Sequence, residues 1–130
     1  MFTDLNVFKT AFAMAEHAGS RQALVSQNMA NADTPGFQPR DLEHFKNAFT
    51  TSPTADTMRA SRPGHLGAQS GTEFGWRTIV EPGGIDPNEN GVSLETEMLR
   101  AVDIKRQHDR ALAIYRSALK VMRTSLGRSS

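Results

Sequence analysis

From Leu94 to Leu126 the residues Leu94, Met98, Ala101, Lys105, His108, Leu112, Tyr115, Leu119, Met122 and Leu126 follow one another at alternating steps of four and three. That spacing keeps side chains on one stripe of an α-helix and fits no strand, whose faces alternate at every second residue. A stripe so long and narrow is a heptad register, and it needs another helix along its length. Two of its positions, Lys105 and His108, are polar. From Ala111 onward a second series, Ala111, Ile114, Ala118 and Val121, widens the apolar face and calls for more than one helical neighbour. Ser93 stands where an N-cap would, with Glu95 and Glu97 in the first turn. Lys120 and Arg123 suit the negative end of the dipole, and Gly127 is placed to cap it.

The other end of the chain has the same period. Leu5, Phe8, Phe12, Ala15, Ala18, Val25, Met29 and Ala32 recur at steps of three and four, with Gln22 filling the one longer step. Such a helix is about 40 Å long. Its stripe is partly alanine and wants close helical neighbours, and Gly19 with Ser20 marks a weak point without ending it. What ends it is the stretch from Asn28 to Phe37. Asn31 and Asp33 can bond nearby backbone groups, Pro35 biases Thr34 away from the helical region, and Gly36 tolerates positive φ. The helix is expected to stop by Asp33. With Met29 near the end of one stripe and Leu94 near the start of the other, the two helices can run antiparallel.

The middle is different. Residues 38–49 are Pro-interrupted and fit a turn followed by a short helix. Residues 50–75 are rich in Thr, Ser, Ala, Gly and Pro, with Met58, Leu66 and Phe74 as the larger apolar residues, too few to offset the entropy of ordering. Residues 76–81 alternate weakly and fit one short strand before Pro82-Gly83-Gly84. The expected fold is mainly α: two long terminal helices packing antiparallel, coiled-coil-like, around a poorly structured polar insert with at most a short strand or hairpin. In domain terms, residues 1–36 and 88–130 form one discontinuous terminal-helix domain and residues 37–87 a flexible central insert.

Most chemistry is excluded. The 130 residues suffice for one modest core and are 38% hydrophobic, below the usual share, so neighbours are expected to complete some apolar surface. Without cysteine there are no disulfides or thiolate sites. The histidines His17, His44, His65 and His108 fall into no metal-ligand spacing, no serine lies in a nucleophile motif and no glycine run cradles phosphate. We expect no enzyme, no cofactor and no metal. Residues 100–130 carry eight basic side chains (Arg100, Lys105, Arg106, Arg110, Arg116, Lys120, Arg123, Arg128) against Asp103 and Asp109. A net charge of +1 and the absence of interleaved aromatics favour a solvated helix face over a nucleic-acid interface. No window reaches the roughly 20 apolar residues of a membrane span. Asp4, Lys9, Glu16 and His17 interrupt any secretory signal, so if the protein works outside the cytoplasm it is expected to leave without a cleaved signal peptide. A non-catalytic helical adaptor or a nucleic-acid-binding protein is the alternative outside the structural-subunit reading.

Asn28, Ala30, Asn31, Thr34, Gly36 and Phe37, with Asp33 and Pro35 between them, resemble the Asn-x-Ala-Asn-x-x-Thr-x-Gly-(Phe/Tyr) signature of the rod and hook proteins of the bacterial flagellum. Residues 90–98, Asn-Gly-Val-Ser-Leu-Glu-Thr-Glu-Met, are similar to that family's Asn-Asn-Val-Asp-Leu-(Asp/Glu)-x-Glu-Met, and Met58 with Pro63-Gly64-His65-Leu66 is more loosely similar to its central region. Phe37, Gly91 and Ser93 replace the commoner Tyr, Asn and Asp, keeping an aromatic, a turn and a cap. The Thr-Pro-Gly form and the short chain resemble the proximal rod more than the longer distal rod proteins, and another rod protein such as FlgC is the alternative within the family. The resemblance implies a structural subunit of the basal-body rod in the periplasm, self- and hetero-assembling through its terminal helices to transmit torque. Implied neighbours are further copies of its own kind, FlgC, FliE at the MS-ring side and, in transit, the flagellar type III export gate, with no nucleic acid and no direct membrane insertion. Packing and assembly then fall to Leu5, Phe8, Phe12, Val25, Met29, Leu94, Met98, Leu112, Tyr115, Leu119, Met122 and Leu126. Phe45 and Phe49 match an export-recognition spacing, as do Phe8 and Phe12.

Overall fold

A computed structural model of the chain describes residues 2–51, 76–81 and 91–127. The readings made for Met58, for residues 63–66 and for the rest of 52–75 and 82–90 lie outside the described residues, as does the side chain of Leu5. In chain order the elements are α1 (Phe2–Ala30), β1 (Arg40–Leu42), α2 (Phe45–Thr51), β2 (Thr78–Val80) and α3 (Leu94–Leu126).

The protein is mainly helical, and its terminal helices pack against each other. α1 runs unbroken through Gly19 and Ser20. It ends where the turn formers begin. The Asn31 amide side chain donates to the Gln27 carbonyl at 2.8 Å, the Thr34 N–H donates to the Asn31 carbonyl at 3.0 Å, and Gly36 takes φ 76°, the left-handed conformation that glycine adopts at no steric cost. At the start of α3, Ser93 has extended φ and ψ and its hydroxyl accepts from the Thr96 N–H, an N-cap as expected. At its end the Gly127 N–H reaches the Arg123 carbonyl, but with φ −77°. The glycine closes that helix without using its conformational freedom.

Three contacts fix the direction of the pair. Phe8 meets Tyr115 edge to face with ring centroids 5.2 Å apart, His17 meets Gln107 and Asn28 meets Glu97. Residue numbers rise along one helix as they fall along the other, so the helices are antiparallel. Ala18, Val25 and Ile104 form the core between them, with Met29 and Ala101 packed against it. Small residues such as Ala11, Ala18 and Ala111 line the seam and allow close approach.

The seam does not follow the heptad stripe throughout. The buried positions of α3 are Glu97, Ile104 and Ala111, whereas Leu94 and Met98 are 46% and 53% exposed. Leu112, Leu119 and Met122 are half-buried, and Tyr115 and Leu126 are exposed. A strict seven-residue repeat drifts by about 20° per heptad around a straight helix. Over this length the stripe therefore turns by roughly a quarter of the circumference. It lies near the seam around Tyr115 and Met122 and beside it at Leu94 and Met98. In the second series, Ala111 is buried and Ala118 half-buried, while Ile114 and Val121 face outward.

The other buried flank of α1 carries a small layer. β1 and β2 pair antiparallel, Arg40 opposite Val80, Asp41 opposite Ile79 and Leu42 opposite Thr78. α2 follows β1, and its Phe45 and Phe49 rings stack 5.2 Å apart.

Candidate functional site

Where α1, β1 and α3 meet, the side chains are polar and buried. Asn28 is 1% exposed. Its amide grips the backbone of Arg40 with two bonds, Nδ2–H donating to the Arg40 carbonyl at 2.8 Å and Oδ1 accepting from the Arg40 N–H at 3.0 Å. β1 turns its other edge to β2, so Asn28 takes the place of a third strand and satisfies groups that would otherwise be orphaned. The second Nδ2 hydrogen reaches Glu97 Oε2 at 3.1 Å, using the remaining donor of the amide.

Glu97, also 1% exposed, accepts from Arg100 at its other oxygen, 2.8 Å away, and Arg100 bonds in turn to Glu81 just beyond β2. Beside it, Arg21 of α1 holds Asp41 of β1 through two bonds of 2.7 Å, the bidentate geometry that suits guanidinium to carboxylate. Burial pushes the Asp41 carboxyl up, but the Arg21 guanidinium outweighs it and holds the group below the usual carboxylate range. Burial pushes Glu97 the other way, above its ordinary value, against the stabilising bond from Asn28. Among the described residues this junction ties all four elements α1, β1, β2 and α3 together.

A second polar contact lies nearer the middle of α1. His17 is fully buried, and burial lowers its pKa in spite of its bond to the Glu43 carbonyl. That carbonyl, 2.8 Å from Nε2, can only accept, so Nε2 carries the proton. The neutral ring then accepts at Nδ1 from the Gln107 amide at 2.9 Å. Phe45 and Trp76 meet the imidazole edge to face at 5.5 and 4.9 Å.

The helix pair is open on the side away from this layer. A shallow groove of about 600 Å³ runs there over Ala18, Gly19, Gln22, Ala101, Val102, Ile104, Lys105 and His108. At 100° per residue Leu94 and Met98 fall on the Ala101 and Lys105 side of α3, and Phe12 is 58% exposed.

The residues singled out in the sequence therefore divide. Within the Asn28–Phe37 stretch, Asn28 is buried, Asn31 and Phe37 are half-buried, and Ala30, Asp33, Thr34, Pro35 and Gly36 are exposed. Val25 and Met29 belong to the core, while Phe8 is half-buried on Tyr115. Phe45 and Phe49 are half-buried. The junction brings the N-terminal and C-terminal motifs into contact through Asn28 and Glu97. Sequence reasoning missed Glu97 as a buried residue, Arg21 and Asp41 beside it, and His17 as the centre of the second polar contact. The available signal was the seven-residue spacing of Glu97, Ile104, Ala111 and Ala118, a stripe that puts one acid in line with three apolar residues.

Among the described residues, no group of three or more acids or histidines is arranged to hold a metal ion, and no helix is long and apolar enough to cross a membrane. No family model matches the chain. It is 29% identical over 121 residues to the flagellar basal body rod protein FlgB of Agrobacterium fabrum, covering 91% of this chain and 90% of that one. It is 26% identical over 128 residues to FlgB of Buchnera aphidicola, covering 94% and 96%. Against FlgB of Escherichia coli the identity is 29% over 114 residues, 78% of this chain and 79% of that one.

Proposed function

We propose that this chain, which belongs to the FlgB family of flagellar basal body rod proteins, builds the proximal rod by packing its terminal helices against neighbouring subunits. In this reading it is a structural part of the basal body without catalysis, set in the periplasmic rod, where it passes torque along the axis. Its neighbours are further FlgB subunits, FlgC towards the distal side and FliE towards the MS ring. It reaches them through the flagellar type III export gate.

The observation that carries the reading is the asymmetry of the helix pair. One flank is filled by β1, β2 and α2 and sealed by buried polar bonds. The opposite flank leaves Leu94 and Met98 half in water beside an open, largely apolar groove. Exposed apolar surface of this kind marks an interaction site, and small residues in its floor suit the close approach of another helix. Residues 1–36 and 88–130 act in this reading as one discontinuous domain. The junction at Asn28 and Glu97 fixes the register in which the two halves present their outer face. Export recognition through Phe45 and Phe49 requires the unfolded chain, because both rings are engaged in the folded one.

A substitution on the open flank separates assembly from folding and export. Met98→Asp adds a charge at an exposed position, so the purified chain should melt within about 0.5 kcal/mol of the parent. In a packed helical contact the same charge costs several kcal/mol, so rod formation and swimming should stop while the protein still reaches the periplasm. Arg116→Asp, on an exposed part of α3, is the control and should swim. Normal swimming by Met98→Asp would overturn the assignment of this flank to assembly.

A further inference from the structure

On the outer face of α3, bordering the open groove at Val102, Glu95, Leu99, Val102 and Arg106 stand at steps of four, three and four, within an arc of roughly 60°. All four are exposed. Leu99 is 69% and Val102 49% in water, and this face points away from both the seam and the β layer. The order along the stripe is acid, apolar, apolar, base. It is complementary to itself when reversed. If two copies lay antiparallel with the centre between Leu99 and Val102, each Leu99 would meet the other copy's Val102, and each Glu95 the other's Arg106. A parallel arrangement would set Glu95 against Glu95 and Arg106 against Arg106, which like charges disfavour. Arg106 has a neighbour of its own in Asp103, but at 3.8 Å with both side chains about three-quarters exposed. A pair so exposed holds the guanidinium weakly.

We infer that two copies of this chain pair antiparallel through the Glu95, Leu99, Val102 and Arg106 stripe of α3, outside the assembled rod. The contact is two-fold and therefore closed, whereas a rod grows by head-to-tail contacts that do not close. The pair is thus a state of the chain before incorporation, a point that rests on the rod reading above. The stripe spans three helical turns, so the interface is small and belongs to the weak, transient class.

Sedimentation of the purified full chain over a range of concentrations tests this. A monomer–dimer equilibrium is expected, weakened by added salt because its end contacts are exposed ion pairs. Arg106→Glu puts like charges at both ends and should weaken pairing by roughly tenfold or more. Adding Glu95→Arg to it restores opposite charges, and pairing should return towards that of the parent. Leu99→Asp should abolish it. Circular dichroism on each variant separates lost pairing from lost helix, and a variant that keeps its helix is the one read. A parent chain that stays monomeric at all concentrations overturns the proposal, and so does an Arg106→Glu chain that pairs as before or a double variant that fails to recover. Swimming is scored separately. A chain that never pairs but still supports swimming removes the pair and leaves the rod reading in place.

Discussion

Gly36 has open space where a Cβ would stand, with nothing within 4 Å, yet its φ of +76° is one that side chains rarely adopt. The cost of substitution is therefore carried by the backbone. Gly36→Val should destabilise by about 1–3 kcal/mol, whereas Gly36→Asn should be mild because asparagine tolerates this conformation; equal melts for the two would show that the turn can rearrange. At Asn28 the cost is of a different kind. Asn28→Ala would strip partners from the part-buried Arg40 N–H and carbonyl and from the buried Glu97. A loss of about 2–4 kcal/mol is expected, read from urea unfolding, and a loss below 1 kcal/mol would mean that the amide is not the lock described here. Asn28 was visible in the sequence as part of a motif, but its work was not. One side chain replacing a strand depends on where β1 passes, which no local pattern records.

Among the elements, the helices were legible because their periods are long and their ends carry ordinary chemistry: Ser93 caps, Pro35 and Gly36 redirect. The seam between them was legible only in part. A heptad read along one helix gives a stripe, but on a nearly straight helix that stripe drifts, and the face that meets α1 is centred on Ile104 rather than on Leu94 and Met98. Burial of Glu97 follows from tertiary position and from its bonds to Asn28 and Arg100, not from its propensity for a first helical turn. His17 shows what holds the β layer to the helices. Its folded-state pKa lies below the ordinary value, so the folded chain prefers the neutral ring. The stability it contributes is present above about pH 6.5 and is lost as pH falls below that value. Melting should therefore drop between pH 7.5 and 5.5 in the parent and much less in His17→Gln, with the carboxylate Asp41 contributing only at lower pH, where its depressed pKa is reached. An identical slope in both proteins would assign the acid sensitivity to another group.

For the whole molecule, the consequence is a chain stabilised on one flank and unfinished on the other. The polar junction and the β layer close the first; on the proposed function a neighbouring subunit completes the second. Exchange of backbone hydrogens should be slowest around Val25 and Ile104, where α1, α3 and the core coincide, and faster towards the outer ends of both helices. The most direct test of the account is a cryo-EM map of basal bodies isolated from cells that carry this chain in place of any other FlgB-like protein. The account predicts density for the chain in the proximal rod, with α1 and α3 antiparallel and the flank of Leu94, Met98 and the adjoining groove buried against a neighbouring subunit. A rod that lacks the chain, or one in which that flank faces solvent, would contradict it.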